Sequence, residues 1–161
     1  MTLNQTRLKE VLHYDPLTGV FTRVKTGKVC GTTRYDGYVQ MGVDGMLYRA
    51  ARLAWLYVSG EWPEHVVDHI NGNPGDNRIA NLRAATVAEN RQNSRIKNQN
   101  RTGYKGVQCE RPGCYSARIT FGGKMIRLGT FRTPDDAHRA YCEAASKHFG
   151  QFSNTGGVPC P

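Results

Sequence analysis

The stretch that most restricts the fold runs from Val66 to Asn93 and reads VVDHINGNPGDNRIANLRAATVAENRQN. Two β-branched valines favour an extended segment that ends at Asp68-His69. The run NGNPGDNRIANLR then supplies Asn, Gly and Asp, which tolerate left-handed backbone and cap backbone N–H groups with short side chains. Thr86, with Glu89 three residues later, forms a capping box, so a helix should start there and set Asn90 in its first turns, facing the loop. Asparagine is a poor core residue and a costly one inside helices. Its density here indicates either a turn-rich surface or a site built from oxygen ligands. A strand, a loop and a helix in that order can bring Asp68, His69 and Asn90 to one point.

A neutral imidazole near physiological pH can take a proton from water. A carboxylate and an amide carbonyl are hard oxygen ligands that suit Mg²⁺ or Mn²⁺ better than soft metals. Two protein ligands leave positions for water and phosphate oxygens, and a base beside such a cation describes metal-assisted phosphodiester hydrolysis.

Charge points to the same class of substrate. Lys and Arg outnumber Asp and Glu by 8 to 6 over residues 1–67, 6 to 3 over 68–101 and 8 to 4 over 102–161. A net charge of +9 spread over a folded chain favours a polyanionic partner, nucleic acid first. No apolar run approaches the ~20 residues of a membrane helix, and the N-terminus MTLNQTRLKEVLHYD has no secretory core. A cytoplasmic protein with no membrane partner is expected. The cysteines (Cys30, Cys109, Cys114, Cys142 and Cys160) are odd in number and form no Cys-x-x-Cys pair, so free thiols are expected.

Upstream, a helix is predicted over Thr6–His13, a strand at VFTRV, a hairpin turning at Asp44-Gly45, and an apolar helix RLAWLYVS closed by Gly60. Downstream, strands are predicted at Tyr104–Cys109, Tyr115–Phe121 and Lys124–Leu128, with turns at Pro112-Gly113 and Gly122-Gly123. Thr133-Pro134-Asp135-Asp136 starts a helix whose apolar stripe is Ala137, Ala140, Tyr141, Ala144 and Phe149. One helix covers one sheet face. The open face should carry Gln108, Arg118, Thr120 and Arg127, and paired strands bearing Arg can enter a major groove. Arg91, Arg95 and Lys97 add cations along and beyond the first capped helix, where they are candidates for DNA contact.

Two resemblances sharpen this reading. Asp68-His69, Asn81 twelve residues on and Asn90 nine further resemble the HNH nucleases, in the branch of phage and intron homing endonucleases with Asn in the third position. The resemblance implies a ββα-metal fold with His69 as general base and Asp68 and Asn90 as ligands to one Mg²⁺ or Mn²⁺. Asn81 would brace the loop and orient His69. Relatives often read Ala-His-Arg-Leu-Ala-Trp upstream, where this chain has Ala51 in place of the His. Over residues 103–154, Tyr-Lys-Gly-Val, Leu-Gly-Thr-Phe and Ala-x-x-Ala-Tyr-x-x-Ala-Ala resemble the APETALA2/ethylene-response-factor DNA-binding domain. That likeness implies a three-stranded sheet in the major groove. Glu110, Pro112 and Arg127 depart from the reading residues of plant members.

The expected fold is therefore α+β. A ββα-metal nuclease domain over 1–98 (motif core 64–97) has an antiparallel hairpin lead-in. A linker over 99–102 precedes a domain over 103–161, a small three-stranded antiparallel sheet packed on one helix. The expected function is metal-dependent cleavage of double-stranded DNA by a monomer or homodimer in a bacterial or phage-infected cell, by nicking, with no small-molecule cofactor. The alternative is a catalytically silent DNA-binding regulator that retains the scaffold.

Overall fold

The computed structural model describes residues 3–93 and 101–156. Its chain divides into two compact units, Met1–Val87 and Ala88–Pro161. The division falls earlier than the expected linker at 99–102, of which residues 99 and 100 lie outside the described residues.

The first unit opens with helix α1 (Gln5–Val11), capped by the Asn4 side chain, which accepts from Arg7 N. The helix is shorter than the predicted Thr6–His13. Leu12 leaves helical backbone because Leu12 and Tyr14 are both needed inside, and only a strand places alternate residues on one face. That strand, β1 (Leu12–Tyr14), pairs with β2 (Phe21–Arg23), which pairs with β3 (Val29–Cys30). A second antiparallel sheet contains β4 (Thr32–Thr33), β5 (Val39–Val43) and β6 (Met46–Arg49). As predicted, β5 and β6 turn at Asp44-Gly45, both at positive φ (48° and 80°), which the right-handed twist of a two-residue hairpin requires. Helix α2 (Ala50–Ser59) follows and ends at Gly60.

The core of this unit gathers Leu8, Leu12, Tyr14, Phe21, Val43, Leu53 and Leu56. Ala51 is part of that core, so the side chain at the position where relatives often carry His is packed inward. The unit's last pair, β7 (Val66–His69) and β8 (Leu82–Ala85), is antiparallel, with Asp68 opposite Arg83 and His69 opposite Leu82.

Helix α3 (Val87–Gln92) starts directly after Thr86, the predicted cap position, and from Ala88 onward belongs to the second unit. There β9 (Val107–Arg111), β10 (Cys114–Phe121) and β11 (Lys124–Phe131) form an antiparallel sheet with β10 central. Helix α4 (Pro134–Phe149) is capped by Thr133, whose hydroxyl accepts from Asp136 N. The buried row of α4 is Ala137, His138, Tyr141, Cys142, Ala145 and Phe149. Ala140 and Ala144 of the predicted stripe are half-buried at its edge, because helical periodicity swings them aside from that row. Cys30, Cys109 and Cys114 are free thiols. Cys142 is disulfide-bonded, against expectation.

One glycine makes a test of how the first unit supports the β7–β8 loop. Gly19 has φ +75°, and a Cβ there would lie 2.5 Å from Arg78 N and 2.6 Å from Asn77 C. Gly27 has a similar φ of +66° with nothing within 4 Å. Gly27→Ala should therefore cost only the ~1–2 kcal/mol of a left-handed backbone. Gly19→Ala should cost ~3 kcal/mol or more, because backbone must also move. Urea denaturation midpoints for the two variants check the ordering, which equal losses would contradict.

Candidate active site

Asp68 and Arg83 stand opposite each other on neighbouring strands, so their side chains share one face. Arg83 Nε donates to Asp68 Oδ2 at 2.8 Å, and its Nη2 lies 2.7 Å from the same oxygen. The two side chains are only 5% and 13% exposed. A buried pair of this kind repays desolvation only with close geometry, and removing one partner costs ~3–5 kcal/mol.

Between the strands, residues 70–81 form a loop braced from within by its own asparagines. Asn81 Oδ1 accepts from Asn71 N (3.0 Å), while its Nδ2 donates to Asn71 Oδ1 (3.1 Å) and Asp76 O (2.8 Å). The backbone adds Ile70 N to Asn81 O at 2.9 Å. Asn71 also donates to Asp76, whose carboxyl is pulled down to about 2, chiefly by the Arg78 guanidinium. Asn81 thus braces the loop through three side-chain bonds.

The residue that orients His69 is a different one. Asn77 Oδ1 lies 3.2 Å from His69 Nε2, and neither of Asn81's side-chain atoms bonds the ring. Asn77 was missed because one Asn in an Asn-rich loop looks like another in sequence. Burial and distance separate them.

This bond bears on the tautomer. Asn77 Nδ2 donates to Gly75 O at 3.2 Å, which sets the amide's orientation and leaves Oδ1 toward the histidine. An amide oxygen only accepts, so this orientation suits the tautomer with the proton on Nε2, in which Nδ1 is the basic nitrogen. Asn77 is itself held by Tyr14, whose hydroxyl donates to Asn77 O at 2.7 Å.

His69 is buried, with Tyr38 edge-on at 5.9 Å and the Arg49 guanidinium 4.1 Å from the Tyr38 ring centre. Burial is the largest cause holding its pKa below the ordinary 6.5, Arg49 adds to the depression, and the Asn77 bond, Asp68 and Asp76 oppose it. The net depression favours the neutral imidazole, the form a general base needs.

Asn90 is half-buried in α3, within the second unit, whereas Asp68, His69 and Asn81 belong to the first. The ligand chemistry proposed from sequence, one carboxylate and one amide carbonyl, suits a hard divalent cation. Among the described residues no group of three or more His, Cys, Asp or Glu could form a closed protein cage. A carboxylate and an amide oxygen would leave such a cation positions for water and phosphate oxygens, and Asp68 Oδ2 already faces Arg83.

In the second unit the predicted open face is present. Gln108 and Thr130 flank Ser116, Arg118 lies opposite Arg127, and Thr120 lies opposite Met125. Ala117, Ile119 and Val107 are buried instead. Gln108, Thr120 and Arg127 are exposed, while Arg118 is half-buried. The cause is Glu110, another residue that sequence reasoning left outside the site. Its Oε1 accepts from Ser116 Oγ at 2.7 Å and from Arg118 Nη2 at 2.5 Å. A register shift at Cys114/Tyr115 gives β9 the extra residue that brings Glu110 there, and such a bulge has no sequence signature of its own here. Arg127 donates to Thr130 at 2.8 Å. Arg91 is exposed on α3, and Arg95 and Lys97 lie outside the described residues.

The His69 environment predicts a measurable titration. The Asn77 bond raises the pKa, so Asn77→Ala should lower it further below 6.5. A ¹H–¹³C titration of the ring carbons checks this, and an unchanged midpoint would remove Asn77 from the role. The same depression has a sign for stability. The unfolded chain binds the proton more readily, so this contribution is complete above about 6.5 and is lost as pH falls through the folded value.

The model of the HNH endonuclease family matches residues 48–98. No curated protein and no solved structure matches the chain. The matched segment begins in β6 and includes α2, the β7–β8 pair with its loop, and α3. It supports an HNH nuclease region in this part of the chain.

Proposed function

We propose that the protein is a metal-dependent DNA endonuclease of homing type that nicks duplex DNA. The observation that carries this reading is His69, a buried imidazole whose Nε2 lies 3.2 Å from Asn77 Oδ1, next in sequence to the buried Asp68. His69 Nδ1 takes the proton from the attacking water. Asp68 and Asn90 would hold a divalent cation, Mg²⁺ or Mn²⁺. When bound, the cation stabilises negative charge on the phosphate and the leaving 3′ oxygen. Asn81 keeps the loop closed on itself, and Asn77 keeps the ring in the productive tautomer.

The sheet of the second unit, related to APETALA2-like domains by its sequence pattern, supplies placement in the major groove. Arg118 is its principal reader, aimed by Glu110, with Gln108, Thr120 and Arg127 around it. Arg91, Arg95 and Lys97 contact phosphates. A single active site meets one strand at a time, which favours nicking.

One observation favours a second reading, a silent DNA-binding protein that keeps the scaffold. The Asp68 carboxylate is buried against Arg83, a cation already at its Oδ2. Cleavage and binding measured separately distinguish the two. Asp68→Ala and Asn90→Ala should abolish metal-dependent cleavage of a labelled duplex while leaving its affinity within a few-fold. Joint loss of both would instead mean misfolding or wrong roles. Arg118→Ala should alter preference at about one base pair, by ~1–3 kcal/mol for a bidentate contact. Uniform weakening across all sequences would make Arg118 a phosphate contact.

A further inference from the structure

Helix α3 carries the proposed ligand Asn90 on six residues, a length at which helices are marginal without outside support. Its final carbonyls have no intrahelical donor and form the negative end of the dipole. Two side chains from far along the chain occupy that end. Lys105 Nζ donates to Gln92 O at 2.7 Å. Asn154 Nδ2 donates to Asn93 O at 2.8 Å and lies 3.1 Å from Asn93 Oδ1.

Both anchors are held by the second unit itself. The Lys105 carbonyl lies 3.3 Å from Nδ1 of His138, on the buried row of α4. Gly106 sits so close to Tyr141 that a Cβ would fall 2.0 Å from its ring. Asn154 Oδ1 accepts from Gly156 N at 2.7 Å. Asn93 is buried, and Ala88, Arg91 and Gln92 line one cleft together with Lys105 and Tyr141. Burial lowers Lys105 to about 8, as expected for an ammonium whose hydration is replaced by a carbonyl.

We infer that Lys105 and Asn154 are positioning residues which fasten the end of α3 and so hold the backbone that carries Asn90. The inference rests on the nuclease reading above and adds to it two residues that position a proposed ligand.

The test uses the full chain as Lys105→Met, which keeps the aliphatic stem and deletes the donor, and as Asn154→Ala. Hydrogen exchange should quicken over residues 87–93 in both variants while β9, β10 and β11 stay protected. Mn²⁺ affinity of the protein–DNA complex, read by paramagnetic resonance, should fall ~10–100-fold, the range for losing a group that orients a ligand. DNA affinity in EDTA should change less than about twofold. Unchanged exchange and unchanged Mn²⁺ affinity would overturn the inference, as would a parallel loss of DNA affinity, which would make Lys105 a DNA contact. If wild-type protein with a protected α3 neither bound Mn²⁺ on DNA nor cleaved it, the nuclease reading would fail while the anchor stood.

Discussion

The rest of the first unit depends on how the loop between β7 and β8 satisfies its own backbone. Twelve residues, 70–81, leave a strand at His69 and return to one at Leu82, and the loop lacks a ladder to pair its N–H and C=O groups. Asparagine side chains replace that ladder. Asn71 and Asn81 exchange bonds with each other and with the backbone, Asn73 caps Gly75 N, and Asn77 holds Gly75 O. An amide carries two N–H donors beside its acceptor oxygen, so each Asn can satisfy carbonyls and N–H groups of the loop at once, which an acceptor-only Asp cannot. The density of Asn posed by the sequence is thus explained mainly by structure, and only in part by ligand chemistry.

Everything upstream serves to hold this loop. The first sheet offers Tyr14 to the carbonyl of Asn77 and brings Gly19 against the Asn77–Arg78 backbone. Gly37, in the turn before β5, lies against Pro74. Tyr38 meets the His69 ring edge-on, and Arg49, at the end of β6, lies over the Tyr38 ring. The two small sheets are therefore more than a lead-in. They hold the loop residue that bonds His69 and pack Tyr38 beside its buried ring.

Much of this was legible in the sequence, for identifiable physical reasons. Asp44-Gly45, Thr133-Pro134 and Gly60 announce their elements because each obeys a local rule of backbone conformation or capping. The spacing of Asp68, His69, Asn81 and Asn90 was readable because the strand, loop and helix have fixed lengths. What remained hidden depends on tertiary distance. Asn77 and Asn81 are chemically the same, and only the fold decides which meets the imidazole. Glu110 reaches Arg118 because of a bulge, and β1 replaces the end of a predicted helix because the core needs Tyr14. The anchoring of α3 by Lys105 and Asn154 joins residues 13 and 61 apart, beyond any local pattern.

The central claim is that His69 takes a proton from water in a metal-dependent cut of DNA. The most direct measurement is relaxation of a supercoiled plasmid carrying a library of phage-genome fragments, by purified wild type and His69→Ala, in Mg²⁺, Mn²⁺ or EDTA. The account predicts open-circular product that needs the cation and disappears in the variant. Intact supercoiled plasmid with wild type in either metal, beside tight retention of some fragments in EDTA, would contradict it and leave the silent DNA-binding protein standing.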